Sequence, residues 1–310
     1  MSLIVPSHNR RVSLVCLLES IARQDLAPAD FEVVVVLDGS TDGSAGALDR
    51  PWPFALKVIE QPNRGAGAAR NAGVNAARGQ VCVFVDDDIT LDPGALAAYT
   101  AAHAESDRPS CIVGALRIRA QHRGFPAGGE RDWARNTARL AEQGWGPRQG
   151  LYSGNLSLPR ELALRFPFRE DLRRLEDIEL GRRLAEARVP ILFCAGASGL
   201  HINPKTTGQR LADLRMGGAT WVRLAREKPG YGTAGPRGRR GALPVVLVAW
   251  AASNFPLPGP IASLLGAVPA AVPGAGLLFR LMHAHAYLRG LRDELSGLQE
   301  WKAYLGRERR

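Results

Sequence analysis

Val81-Cys82-Val83-Phe84-Val85-Asp86-Asp87-Asp88 is an unbroken apolar run that stops abruptly in three carboxylates. Such a run reads as a strand buried on both faces of a sheet, so the aspartates fall where the strand leaves it. In open α/β sheets that edge is where ligands bind. Three adjacent carboxylates repel one another and call for a cation. Oxygen donors at this spacing suit a hard divalent ion such as Mg2+ or Mn2+, which commonly also holds substrate phosphates. The same residues admit a second reading, as the acidic approach to a helix opening at Thr90, Asp92 and Pro93 and running through Leu96.

On either side of the triplet, strand and helix patterns alternate over the first two hundred residues, which predicts a βαβ sheet with helices on both faces. Strands are expected at Ser2–Val5, Phe31–Leu37, Leu56–Ile59 and Val81–Val85, with shorter ones at Cys111–Ile118, Leu151–Leu158 and Pro190–Cys194. Helices are expected at Val12–Arg23, with an apolar stripe of Val12, Val15, Cys16 and Ile21, and at Ala68–Ala77. Another should begin near Glu176 and Asp177, where acids favour the helix dipole or, facing a cleft, serve as a general base. His201 is expected after a glycine-rich turn, either structural or as a donor to Mn2+.

Two loops carry further chemistry. Asp38-Gly39-Ser40-Thr41-Asp42 has residues that turn tightly and accept hydrogen bonds, which suits a base or ribose as well as an ordinary turn. Asn63-Arg64-Gly65-Ala66-Gly67-Ala68-Ala69-Arg70 lets backbone approach a ligand and offers arginines to phosphate. A dinucleotide fingerprint would follow the first strand, and that strand instead ends in Pro6-Ser7-His8-Asn9-Arg10. No G-x-x-x-x-G-K-[ST] phosphate loop is present.

The chain of 310 residues has a formal charge of +10, which favours anionic partners. Aromatics at 6% and scattered arginines disfavour nucleic acid. The four cysteines, Cys16, Cys82, Cys111 and Cys194, have no paired spacing and read as reduced core residues. The chain enters Leu3-Ile4-Val5 directly, which predicts no signal peptide and a cytoplasmic location.

Six motifs in order resemble family 2 glycosyltransferases of the GT-A fold. They are Leu3 to Arg10, Val36 to Ser44, Asn63-Arg64-Gly65 through Gly73, Asp86-Asp87-Asp88, Ser153-Gly154-Asn155-Leu156-Ser157 and Glu176 to Leu184. The resemblance implies an α/β fold, a Rossmann-like mixed sheet with helices on both faces, over residues 1–205. It implies an inverting transfer of sugar from a nucleotide-diphosphate sugar, UDP-sugars favoured, to a glycan, lipid-linked or small-molecule hydroxyl. Pro6, Asn9, Asp38, Arg70, Asp86 and Asp87 would then line the donor site, with Asp38 accepting from the base and Arg70 approaching the nucleotide or diphosphate. Asp88, Asp86 and His201 would hold Mn2+ or Mg2+, Asp177 would be the catalytic base, and Glu176 its acceptor-side neighbour. Rival readings are a sugar-nucleotide-forming nucleotidyltransferase and a non-catalytic, membrane-attached glycan-binding protein.

Beyond the motifs, Arg119–Gly150 is loosely patterned, and Trp133 and Trp145 there are candidates to stack on an acceptor sugar. Residues 206–240 read as an amphipathic helix and a basic linker, and residues 241–310 as an apolar helical extension. Gly241 to Phe279 holds no charged residue, so this stretch either meets a membrane surface as a hairpin or packs against protein or a second copy of the chain.

Overall fold

The computed structural model describes residues 1–120, 137–140, 142, 151–203, 205–227 and 275–294. The chain divides into two compact units, Met1–Arg119 with Glu130–Asn203, and Ala120–Gly129 with Pro204–Arg310.

In the first unit eight strands form one sheet. They are β1 (Ser2–Ser7), β2 (Glu32–Asp38), β3 (Ala55–Gln61), β4 (Val81–Val85), β5 (Ile89–Leu91), β6 (Cys111–Ala120), β7 (Asn155–Pro159) and β8 (Ile191–Asn203), in the order β3-β2-β1-β4-β7-β6-β8-β5. The first four run parallel, whereas β7 joins β4 antiparallel and β5 pairs antiparallel with β8. Helices α1 (Arg11–Ile21), α2 (Ser44–Leu48), α3 (Ala66–Ala76), α4 (Ala95–Ala104), α5 (Arg160–Arg165) and α6 (Glu176–Glu186) also belong to this unit.

Side chains alternate across a strand, and the two resulting sets build two cores. Leu3, Val5, Val33, Val35, Val83 and Val85 join Leu14, Leu17, Leu18 and Ile21 of α1. Ile4, Cys82 and Phe84 join Val74 of α3 and Leu180 and Leu184 of α6. Continuous apolar runs are therefore required in β1, β2 and β4, because both faces are covered.

Four local expectations are corrected. The buried stripe of α1 is Leu14, Leu17, Leu18 and Ile21 rather than Val12, Val15, Cys16 and Ile21, with Val12 71% exposed. The true stripe follows the i, i+3, i+4, i+7 spacing of a helix face in full, and Cys16 is consequently exposed. Thr90 belongs to strand β5, and the helix after the triplet begins only at Ala95. The segment before His201 is extended strand instead of a glycine-rich turn. Its small residues are needed for pairing, since a Cβ on Gly199 would lie 2.8 Å from the Thr90 carbonyl oxygen. The third strand, β3, is half-exposed because it forms the sheet edge.

The second unit contributes α7 (Thr207–Glu227) and α8 (Ala275–Glu294), packed backbone to backbone. A Cβ on Gly218 would come within 2.2 Å of the Tyr287 carbonyl oxygen, and Arg215 pairs with Asp293 at 2.6 Å. Among the described residues no helix is long and apolar enough to cross a membrane. The basic linker from Lys228, most of the charge-free span, Trp133 and Trp145 lie outside the described residues.

Candidate active site

The strand β4 ends in a tight turn. Asp86 N–H donates to Gly154 O at 3.1 Å, and the Asp86 carbonyl accepts from Ile89 N at 3.1 Å. The triplet is thus a strand-to-strand connection at the seam between the parallel and antiparallel strands, and its three side chains diverge. Asp86 Oδ1 accepts from Arg70 Nη2 at 2.7 Å. Asp87 accepts from Ser7 Oγ at 2.7 Å and from Arg10 Nη1 at 3.1 Å. Asp88 Oδ2 accepts from the same Arg10 nitrogen, and its Oδ1 lies 3.2 Å from His201 Nε2.

These partners give neighbouring carboxylates different acidities. Burial pushes Asp87 up to about 7 despite the charge of Arg10. Asp88 is also buried, which opposes ionisation, yet His201 and Arg10 hold it below the usual carboxylate range.

Arg70, on α3, is 3% exposed and sits beneath the site. Its Nη1 donates to Glu176 Oε1 at 2.9 Å, so one guanidinium joins the end of β4 to the start of α6. Both ion pairs and the Phe168 ring, 5.2 Å from the guanidinium carbon, enclose it, while Nε is buried with no partner. Leu175 caps α6 with φ 63°, a strained conformation for a γ-branched residue, and so directs Glu176 and Asp177 towards the site. Asp177 accepts from its neighbour's Ile178 N–H at 2.8 Å and from Ser153 N–H at 3.4 Å. Burial, then the charge of Glu176, raises Asp177 to about 7, with Arg70 and the two amides pulling the other way.

On the parallel side, the Asp38 carboxylate accepts from Gln61 Nε2 at 2.8 Å, Arg64 N at 2.8 Å and Gly65 N at 2.7 Å. It thereby fixes the 61–65 loop. The loop also crosses closely over Gly39, where φ is 73° and a Cβ would meet Asn63 N at 2.9 Å. Asn9, at φ 52°, accepts from Thr41 N–H at 2.8 Å, so the Pro6–Asn9 strand end and the Asp38–Asp42 loop form one rim.

The sequence-predicted residues fall into one neighbourhood with unequal engagement. Asp88 and His201 are paired, Glu176 and Asp86 share Arg70, and Arg70 has both terminal nitrogens on protein carboxylates. Arg10, Ser7 and Tyr152 had no assigned role. Arg10 and Ser7 stand within a quoted motif, but nothing local ties them to residues about eighty positions away. Tyr152 has its hydroxyl 3.5 Å from His201 Nδ1, and a Cβ on Gly154 would strike that hydroxyl at 2.4 Å and the ring at 2.5 Å.

No group of three or more candidate metal-ligating side chains occurs among the described residues. The Asp88–His201 pair nevertheless fits a divalent ion. Two adjacent ligands of an octahedral ion, each at about 2.1 Å, stand about 3.0 Å apart, close to the 3.2 Å between Asp88 Oδ1 and His201 Nε2. One carboxylate and one imidazole would leave the remaining coordination positions to other oxygen donors.

Residues 2–164 match the sequence profile of glycosyl transferase family 2, just over half of the chain. The chain therefore belongs to this family. A putative glycosyltransferase, EpsH, of Bacillus subtilis is 36% identical over 94 residues, 30% of this chain and 27% of that protein. Validoxylamine A glucosyltransferase of Streptomyces hygroscopicus subsp. limoneus is 33% identical over 120 residues, 37% of this chain and 26% of its own length. The matched stretches thus span only about a quarter of these relatives. The fold resembles mannosyltransferase PcManGT from Pyrobaculum calidifontis, solved with GDP-Man and Mn2+, at TM-score 0.64, 23% identity and coverage of 94% of this chain and 86% of that one. S. aureus TarS 1-349 in complex with UDP gives TM-score 0.55 and 19% identity, covering 94% and 90%. The mixed sheet is accordingly of the GT-A type.

Proposed function

We propose that the protein transfers a sugar from a nucleotide-diphosphate sugar, UDP-sugars favoured, to a hydroxyl acceptor with inversion at the anomeric carbon. The observation that carries this reading is Arg70, which ties Asp86 and Glu176 to one guanidinium and so brings the base-bearing end of α6 beside the carboxylates of β4. The solved structures that share the fold, one holding GDP-Man with Mn2+ and another UDP, support a nucleotide-sugar donor.

In this reading Pro6, Asn9 and Asp38 cradle the nucleotide, with Asp38 also holding the 61–65 loop in position. Asp177 takes the acceptor hydroxyl proton, for which a carboxylate poised near neutral pH is well matched. The acceptor oxygen attacks the anomeric carbon from the face opposite the diphosphate, the carbon–oxygen bond to the diphosphate breaks, and the nucleoside diphosphate leaves with the bonding pair. Glu176, fixed by Arg70, keeps the start of α6 in register with the donor. A divalent ion held by Asp88 and His201, with Asp86 beside them, would offset the charge on the leaving diphosphate. The test is a panel of UDP- and GDP-sugars with Mn2+ or Mg2+, read by sugar-nucleotide hydrolysis and acceptor transfer. The reading fails if no donor is turned over, or if Asp177→Asn transfers sugar at the wild-type rate.

A further inference from the structure

The two arginines at the triplet are held very differently. Arg70 is 4% exposed at its side chain and bonded to two carboxylates on separate elements, so it is fixed. Arg10 is 31% exposed at its side chain, whereas the Asp87 and Asp88 side chains it joins are 7% and 6% exposed. A single Arg10 nitrogen serves both acids. The Arg10 backbone is anchored apart from that contact. Its carbonyl accepts from Leu14 N at 2.9 Å in the first turn of α1, and the next residue, Arg11, donates its N–H to Asp42 at 2.8 Å. The side chain can therefore leave without moving the helix.

Resting on the glycosyltransferase reading above, we propose that Arg10 is an internal counter-cation. It occupies Asp88 when no nucleoside diphosphate is bound and yields it to a divalent ion when one arrives, so that metal binding is conditional on the nucleotide. The physical reason is competition. Arg10 already offsets the Asp88 charge from Oδ2, so a bare divalent ion arriving between Oδ1 and His201 meets a partly neutralised carboxylate and a guanidinium close enough to repel it. An arriving diphosphate offers that guanidinium a matching planar pair of oxygens, as arginine forks prefer, and the exchange then costs little. Metal and nucleotide each favour the state in which Arg10 has moved, so each must strengthen the other's binding by the same factor.

The test is Mn2+ binding to the chain of 310 residues, read by electron paramagnetic resonance of free Mn2+, with and without UDP and, separately, GDP. Wild type should bind Mn2+ weakly alone and more tightly with the nucleoside diphosphate. Arg10→Gln should bind Mn2+ alone at least about tenfold more tightly, since a nearby positive charge has been removed, and should lose most of the nucleotide-dependent gain. Arg10→Lys, which keeps the charge but not the fork, should bind Mn2+ alone as weakly as wild type, and Asp88→Asn should bind poorly in every condition. Arg10→Gln that folds like wild type yet binds Mn2+ no more tightly overturns the proposal. If that variant fails to fold, wild-type Mn2+ affinity that is indifferent to UDP and to GDP overturns it equally. Sugar transfer by wild type alongside unaltered Mn2+ binding in Arg10→Gln would sink the inference and leave the enzymatic reading standing. Arg10-dependent coupling without any transfer would support the inference and sink the enzymatic reading.

Discussion

The parallel strands β3-β2-β1-β4 meet the other half of the sheet, β7-β6-β8-β5, which begins with the antiparallel pairing of β7 on β4, and the candidate site lies along that seam. On the parallel side each functional group follows directly from a buried strand: Asn9 after β1, Asp38 at the end of β2, the triplet after β4. On the antiparallel side the groups are supplied by pairing at a distance. His201 reaches Asp88 because β8 runs beside β5, with Ile89 opposite His201, and Asp177 is positioned by Ser153 and by Arg70's hold on Glu176. One half presents polar side chains at strand ends, and the other brings Asp177, the proposed base, and the His201 imidazole to meet them.

If that division is right, a change on the antiparallel side can stop chemistry and leave the nucleotide bound. Asp177→Asn keeps the shape and removes the base, and should slow transfer by about 10²–10⁴-fold. UDP binding by calorimetry should be unchanged, and equal losses in both would erase the distinction. Arg70→Met attacks the join itself. It leaves Asp86 and Glu176 unpaired around a site where the arginine is almost wholly buried, and should cost about 3–5 kcal/mol in chemical denaturation.

The pH profile sharpens the assignment of Asp177. The base acts only as the carboxylate, and its raised pKa of about 7 leaves it mostly protonated in mild acid. Transfer should therefore rise with pH, by about tenfold per unit below neutrality, and level off above it. A profile flat from pH 5 to pH 8, to be measured at saturating donor, would rule out Asp177 as the titrating group. A smaller effect belongs to Gly199→Ala, whose Cβ would press on the Thr90 carbonyl oxygen and push β8 away from β5. It should destabilise by about 1–3 kcal/mol, whereas Val58→Thr on the exposed edge strand β3 should fall within about 0.5 kcal/mol of wild type. Thermal unfolding of the two variants side by side reads that contrast.

The same seam separates what was legible from what was not. The central parallel strands β1, β2 and β4 announce themselves because both faces are covered, so Val33 to Leu37 and Val81 to Val85 must be apolar throughout. Only the start of β8 is legible, because the half that pairs with β5 needs a glycine at 199 and so reads as a turn. The α1 stripe was legible in principle, because Leu14, Leu17, Leu18 and Ile21 keep full helical spacing whereas Val12, Val15 and Cys16 would be followed by Glu19.

The order of motifs by itself determined the family, the strand-end aspartates and the acidic start of α6, because each is a short contiguous signal set by local backbone geometry. Tertiary structure alone decided which cation meets which carboxylate. Arg70 on Asp86 and Glu176, and Arg10 on Asp87 and Asp88, join residues 16 to 106 positions apart. Such pairings depend on how strands stack across the sheet and on burial that strengthens charge interactions, and neither quantity is written in any local stretch of the chain.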